Sequence, residues 1–424
     1  MPLGLIEETA DLVVVGAGAA GLATAIFAKR AAPHLRVVCA DGALRVGAKI
    51  LVSGGSRCNV TNREVTERDF WGGSPRFVRS VLRAFPAGKA AAFFSELGVP
   101  LHQEEDGKLF PDSNRARDVL NALLAALRDA GAELHTGERV RAITRDEGRF
   151  VVEASHRRYV AGAVVLATGG RSLPKTGSDG TGYALARDLG HGYVNTTPAL
   201  APLILEGRRY AALAGIAHRV GLTIRDDAGF RVDLEGALLW THFGASGPVV
   251  LNASRHWHRA QLEQRAVEVL LNVCPGEQHA SLEGWLLDQA GERPRAHVAT
   301  VLAARLPGAV ADAWIEGLNL AGVTASHLTR EGRRSLIHAL LATPLLVRDS
   351  RGYSFAEVTA GGIPLDEIDP ARMESRCCPG LFLVGEILDV DGRLGGFNFQ
   401  WAWSSAWVAG RAIASGRPLR QPPP

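Results

Sequence analysis

His242 is the side chain that most invites proton chemistry. It stands in Thr241-His242-Phe243-Gly244-Ala245-Ser246-Gly247-Pro248, a turn of small residues between β-type and helical segments. An imidazole there could pass a proton near neutral pH; a surface or structural histidine is the plainer expectation. Five cysteines offer sulfur. Cys58 lies in a glycine-rich loop but lacks the CxxC partner that a disulfide-exchanging thiol needs. Cys377 and Cys378 are adjacent, before Pro379, with no metal-ligand spacing around them. No metal is therefore expected, and an odd number of unpaired thiols points to a reducing, cytoplasmic setting. Trp401, Trp403 and Trp407 recur at near-helical spacing, which suits packing better than a substrate clamp.

The clearer chemistry is the binding of a ligand. Gly16-Ala17-Gly18-Ala19-Ala20-Gly21 follows the apolar run Leu12-Val13-Val14-Val15 and precedes an alanine-rich helical segment, 22–31. A second apolar run, 35–40, ends on Asp41. Strand, glycine turn, helix, strand and acid stand in the order a dinucleotide needs. Gly16 permits the tight turn, Gly18 lets the backbone approach a pyrophosphate, and Gly21 lets helix and strand pack closely. The helix start offers unpaired N–H groups to phosphate, and Asp41 can accept hydrogen bonds from a ribose. Residues 53–62, Ser-Gly-Gly-Ser-Arg-Cys-Asn-Val-Thr-Asn, expose backbone N–H groups, and Arg57 can add a bidentate phosphate contact.

The C-terminal part returns to the same theme. Residues 380–386 read as a buried strand stopping at Gly385 and Glu386, followed by Asp389, Gly395-Gly396-Phe397-Asn398 and a helix from about 399 to 415. An acid can hold ribityl hydroxyls, and a helix N-terminus can face the N1/C2=O edge of a flavin. Both ends of the chain would then hold one FAD, non-covalently, because no His or Cys sits in a recognisable flavinylation motif. No second strand-GxGxxG-helix unit follows residue 41. NAD(P)H is accordingly expected as a transient donor that needs no such motif.

These residues must be positioned by a larger scaffold. Helices are expected within 75–97 and over 113–130, short strands over 133–160, and a fully apolar strand over 163–167 that runs into Thr168-Gly169-Gly170-Arg171. From about 195 the composition turns to prolines and β-type segments, and 280–342 reads mostly as helices, so 193–350 is an insertion, part β and part helical. With 46% hydrophobic and 21% charged residues the composition is that of a soluble globular chain. No apolar run approaches the roughly 18 residues of a membrane span, and Met1 to Thr9 carries no signal-like block. A net charge of +3 is too small to argue for nucleic acid. A small-molecule partner is expected, with no nucleic acid and no membrane; the oligomeric state stays open.

The stretches GAGAAGL, SGGSRCNVTN, GKLFP, ATGGRSLPKTGSDGTG, THFGASGP, TAGGI and GLFLVGEILDVDGRLGGFNFQWAWSS together resemble the BaiN/YhiN-like bacterial flavoproteins. They span almost the whole chain in one order. The resemblance implies an α/β fold, a Rossmann-like FAD/NAD(P)-binding domain with an inserted region that is part β-barrel and part helical bundle. The FAD-binding domain would take 1–192 and 351–418. The insertion would be barrel-like over about 193–275 and 325–350 and helical over about 276–324, and 419–424 would be a disordered tail. FAD contacts are implied at Gly16, Gly18, Ala19, Ala20, Gly21, Asp41, Lys49, Gly55, Arg57, Cys58, Asn59, Val140, Thr168 and Gly169. The C-terminal set is Gly385, Glu386, Asp389, Gly395, Gly396, Phe397 and Asn398. The acid closing the second strand is more usually Glu in such proteins, and Asp41 is shorter. The best-described branch looks like reductases of conjugated double bonds in steroid-type ketones, a substrate that cofactor motifs do not carry over.

The chain is thus expected to be an FAD-dependent oxidoreductase that moves hydride from NAD(P)H through flavin N5 to a small unsaturated or carbonyl-type acceptor. His242 is the candidate proton donor, and the acceptor is expected between the flavin and the insertion. One alternative is an oxidase of an amine-type substrate that uses oxygen. Another, of a different class, is a flavin-containing nucleic-acid-modifying or binding protein.

Overall fold

A strand covered on both faces needs apolar side chains at every position, and Leu12-Val13-Val14-Val15 supplies four in a row, all buried. In the computed structural model, which describes residues 5–416, they end the strand Ile6–Val15. The expected tail at 419–424 lies outside the described residues. Ile6–Val15 pairs in parallel with Val37–Asp41 on one side and Arg157–Leu166 on the other. Glu133–Thr136 extends the sheet beyond Val37–Asp41, and Leu381–Leu383 extends it beyond Arg157–Leu166, both in parallel. Ile368–Asp369 and Glu374–Ser375 finish that edge antiparallel, and Ala142–Asp146 with Arg149–Glu153 form a hairpin against Arg157–Leu166. The order is that of a dinucleotide-binding sheet closed by a strand from the far end of the chain.

Ala19–Ala31 joins the first two strands and is buried over most of its length. Its small side chains let the C-terminal helix, Phe397–Ala414, approach closely. A Cβ added at Gly410 would stand 2.8 Å from the Phe27 Cβ. Trp401 and Trp403 are fully buried in that helix, and their indole N–H groups donate to the carbonyls of Gly385 (3.1 Å) and Val60 (2.9 Å). These tryptophans pack the core.

The chain divides into two compact units, one holding residues up to Thr196 and from Glu357 onward, the other Thr197–Ala356. The second begins and ends a few residues later than the expected 193–350. Its sheet runs Thr343–Pro344, Val267–Asn272, Ala217–Asp226, Arg231–Thr241, Gly244–Ser246, Leu203–Leu205, Val347–Ser350. The two outermost strands are neighbours in the chain, separated by Leu345 and Leu346. Leu345 N–H donates to Val269 O and Leu346 O accepts from Glu206 N–H, so pairing continues on both sides and the sheet closes as a barrel. Val220, Leu222 and Ile224 alternate into its core.

Two helices stand inside the ranges assigned to the barrel, 193–275 and 325–350. Pro248–Leu262 starts with proline in its first turn, and Val249, Val250, Ala253, Trp257 and Ala260 recur on one buried face. Arg330–Ala342 is capped by the Thr329 hydroxyl, which accepts from Gly332 N–H at 3.1 Å, and buries Leu336, Ile337 and Leu340. Arg330–Ala342 lies within 280–342, the stretch that reads mostly as helices. Within the expected helical stretch stand His279–Glu292, Val298–Leu302 and Gly308–Gly317.

A candidate dinucleotide site in the parallel-sheet unit

The three glycines of the first turn do different work. Gly16 has φ +99°, and a Cβ there would stand 2.6 Å from the Ala167 carbonyl oxygen; at Gly21 it would stand 1.9 Å from the Gly16 carbonyl oxygen. Chain packing alone excludes side chains at both. A Cβ at Gly18 would meet nothing within 4 Å. The open glycine is thus the one whose backbone a pyrophosphate must approach. Gly18 is also the N-cap of Ala19–Ala31, with no side-chain cap and no acid in the first turn, so the first N–H groups, including those of Ala19 and Ala20, are left for an anion.

Asp41 is already tied to this turn. Its Oδ2 accepts from Ala17 N–H at 2.6 Å and its Oδ1 from Ala43 N–H at 2.7 Å. Each oxygen keeps a second lone pair for a ribose hydroxyl. The contact to Ala17 fixes the acid beside the glycine turn, a structural duty that the sequence reading missed.

The loop after Asp41 is a helix, Ala48–Ser56, whose backbone leaves helical geometry at Ser53, Gly54 and Gly55. A Cβ at Gly55 would again meet nothing within 4 Å. Arg57, expected to offer a phosphate fork, is held within the chain. Its Nη1 donates to Glu104 Oε1 at 2.6 Å and its Nη2 to Glu104 Oε2 at 3.3 Å, while its guanidinium lies 4.1 Å from the Phe110 ring centre. A carboxylate of the chain itself closes the fork. Cys58 is fully buried, and burial pushes its thiol up to about 12, which removes the thiolate a redox relay requires. With its amide nitrogen turned to the carbonyls, Asn59 donates to Thr61 O (2.8 Å) and Leu109 O (3.2 Å) and accepts from Gly396 N–H (3.1 Å).

That last bond links the loop to the C-terminal motif. A Cβ at Gly396 would stand 2.4 Å from Thr61 O, and Asn62 Nδ2 donates to Gly395 O at 3.1 Å. Gly396 is the N-cap of Phe397–Ala414, again without a side-chain cap. Asn398 closes the preceding turn, accepting from Gly392 N–H (2.8 Å) and donating to Gly392 O (2.9 Å). Phe397 is fully buried, with the Arg393 guanidinium 4.2 Å from its ring centre, so its side chain serves the core while its backbone opens the helix. The Asp389 carbonyl accepts from Gly73 N–H at 2.8 Å. Val140 is buried.

The two ends of the chain meet at Gly385, where an added Cβ would stand 2.8 Å from the Ala20 Cβ. Thr168 also lies against the first turn, its Cα 3.3 Å from a Cβ built at Gly16, and Gly169 packs on Ser178. Next to Gly385, Glu386 accepts from Lys49 Nζ (2.5 Å), Ser172 Oγ (2.8 Å) and Thr359 N–H (3.0 Å). Lys49 also donates to Ser172 Oγ at 2.6 Å. Ser172 and Thr359 were absent from the sequence-based set, although both sit in the small-residue stretches ATGGRS and TAGG.

His242 lies in the other unit. It is exposed, in a two-residue loop between Arg231–Thr241 and Gly244–Ser246, its ring centre 5.1 Å from that of Phe243 in an edge-on contact. His191, Glu367 and Cys377 bring donor atoms within 4.8 Å of one another. Yet His191 Nδ1 is bonded to Glu367 (2.7 Å) and Nε2 to Ser375 Oγ (2.8 Å), so both ring nitrogens are spent inside the chain. Among the described residues no helix is long and apolar enough to cross a membrane.

Two uncapped helix starts, an open glycine face and a strand-end acid are the donors and acceptors that a dinucleotide's phosphates and ribose require, so the residues fit FAD. Comparison with known proteins agrees. The family model described as HI0933-like protein Rossmann domain matches residues 10–412. A 3-dehydro-bile acid delta(4,6)-reductase of Clostridium scindens is 34% identical over 95% of this chain and 98% of its own. A ribosomal RNA dihydrouridine synthase of Escherichia coli is 31% identical over 97% of this chain and 99% of its own. Among solved structures, an E. coli quinol fumarate reductase FrdA matches 97% of this chain and 71% of its own, with a TM-score of 0.51 at 19% identity, a likeness of fold.

Proposed function

This chain belongs to the HI0933-like Rossmann-domain family and is a flavoprotein oxidoreductase, and from that premise we propose that it reduces an activated carbon–carbon double bond in a small organic acceptor with electrons from NAD(P)H. The observation that carries this reading is the 34% identity, over 95% of the chain, with a protein named as a bile acid delta(4,6)-reductase. FAD, when bound, supplies the hydride chemistry. The chain's residues then divide the remaining work. The helix starts at Ala19 and Phe397 hold anionic or electron-rich groups with their free N–H dipoles. Asp41 holds the ribose and keeps the glycine turn in place. Lys49, fixed by Glu386 and Ser172, places a positive charge next to Gly385. His242, exposed on the second unit, gives the acceptor its proton.

Anaerobic stopped-flow absorbance tests the proposal. NADH or NADPH should bleach the flavin, and a conjugated enone such as a 3-keto-4-ene steroid should restore its colour. Bleaching by amines, with reoxidation by oxygen alone, would favour the oxidase instead.

A second reading rests on the relatives named ribosomal RNA dihydrouridine synthase, at 31% and 30% identity over nearly the full chain. The reduced double bond would then lie in a base of RNA. The net charge of +3 gives no strong phosphate-binding field. Salt-dependent retention of ribosomal RNA, with base reduction detected by mass spectrometry, would select this reading over the small-molecule one.

A further inference from the structure

Several arginines of the second unit are spent internally. Arg219, Arg225, Arg231, Arg265, Arg305 and Arg333 all sit in ion pairs. Arg351 does not: among the described residues its side chain has no carboxylate and no hydrogen-bond acceptor. It is exposed, yet it is held. Its guanidinium lies 3.3 Å from the Phe355 ring centre and 5.0 Å from that of Phe243. The cation thus lies against two aromatic rings, while its N–H groups stay unspent.

The backbone fixes this arrangement. Arg351 N–H donates to Pro202 O (3.0 Å) and Leu205 N–H donates to Phe243 O (3.1 Å), so both segments are tied to the one strand Leu203–Leu205 that lies between them. The turn that carries Phe355 closes on itself, with Phe355 N–H and Ala356 N–H both donating to Gly352 O. Phe355 keeps 47% of its surface exposed. His242 stands edge-on to Phe243, exposed as well. An apolar ring, a preorganised cation with a free fork and a titratable imidazole share one patch.

We infer that this patch binds an organic carboxylate carried on a flat apolar body, with the carboxylate on the Arg351 fork and the apolar body against Phe355. A single arginine beside aromatic rings suits one anionic group on a hydrophobic ligand, whereas an RNA strand needs a row of cations along its phosphates. The inference deepens the proposed function and rests on it for one point only, that the ligand held here is the organic acceptor.

The test is isothermal titration calorimetry of the full chain with 2-naphthoate and with its uncharged counterpart, 2-naphthamide. The acid should bind about tenfold to hundredfold more tightly, the range for hydrogen bonds to a charged group. Arg351→Gln should erase that preference, and Arg351→Lys, which keeps the charge but loses the fork, should retain only part of it. Phe355→Ala should weaken both ligands together. Unchanged thermal unfolding of the variants establishes that they fold. Equal affinity for acid and amide in the native chain, or an acid preference that survives Arg351→Gln, would overturn the inference. Failure of the reductase reading shows separately, as a reduced flavin that no enone reoxidises.

Discussion

Lys49 and Glu386, 337 positions apart in the chain, meet as an ion pair at 2.5 Å. The pair is only partly exposed, and Ser172 touches both partners, so the contact joins the loop after the second strand to the end of the last one. Losing Lys49 leaves Glu386 its neutral partners, Ser172 and the Thr359 N–H. Lys49→Met should therefore cost an intermediate amount, about 1–3 kcal/mol of stability, between an exposed pair and a fully buried one. Thermal unfolding of Lys49→Met, Glu386→Gln and the double variant measures it. Strictly additive losses would show that the pair has no energetic coupling.

The glycine turn predicts a division between folding and binding. Gly18→Val places a side chain in open space, so the apo chain should melt almost as the native one does while flavin occupancy collapses. Gly16→Ala strains a φ of +99° and drives a Cβ to 2.6 Å from the Ala167 carbonyl oxygen, so the fold itself should weaken, by about 1–3 kcal/mol or more. Flavin absorbance and circular dichroism, followed on the same samples, separate the two outcomes. Asp41→Ala should show both effects. It removes two backbone hydrogen bonds and the ribose acceptor, and its FAD should bind roughly tenfold to hundredfold more weakly.

Acidification should loosen the barrel unit. Burial pushes His256 down to about 3 and His258 down to about 4, from an ordinary value of 6.5. Below 6.5 the unfolded chain takes up protons that the folded chain refuses, so stability falls as pH drops from about 6.5 toward 4. His258 alone would cost about 3 kcal/mol by pH 4. Melting temperatures across this window should fall, and less so in His258→Asn. A flat profile between pH 6.5 and 4 would contradict the depressed values.

What was readable in the chain was local. The turn at Gly16 to Gly21, its flanking strands and Asp41 lie within some thirty consecutive residues, and each has a period or a breaker of its own. The partners of these residues were not readable, because they arrive from elsewhere. Arg57 reads as a phosphate ligand until Glu104, 47 positions on, takes its fork. Lys49 gains its meaning from Ser172, Thr359 and Glu386, which three separate segments supply. Barrel closure likewise depends on 343–350 pairing with strands far upstream. The helix Pro248–Leu262 is a different case. Its apolar period is local and stands in the sequence itself, directly after the Gly-Pro of the preceding turn.

The cysteines yield a chemical prediction. Of the five, Cys39, Cys58, Cys274 and Cys378 are buried and Cys377 is exposed. Iodoacetamide should alkylate Cys377 alone in the native chain, with peptide mass spectrometry as the readout. Partial burial and the nearby Glu367 raise its pKa, so labelling should keep speeding up as pH rises above the ordinary thiol range. Replacing Cys377 and Cys378 together by serine should leave flavin reduction unchanged. A large fall in that rate, with FAD content intact, would give the pair a part in catalysis.

His242 is the last residue to be tested and the one on which the proposed chemistry turns. Its ring is exposed in a two-residue hairpin loop and packs edge-on to Phe243, on whose ring Arg351 also lies. Nothing in that position serves the core, so His242→Gln should leave the fold and the flavin content as they are. If His242 protonates the acceptor, reduction of the flavin by NAD(P)H should proceed at its native rate, because that step needs no proton from the second unit. Reoxidation by an enone should slow by about 10²-fold or more, the usual contribution of a positioned general acid. Timing the two half-reactions separately by stopped-flow absorbance distinguishes the cases. An unchanged reoxidation rate would assign the proton to another group or to water. A loss confined to flavin reduction would place His242 with the donor instead.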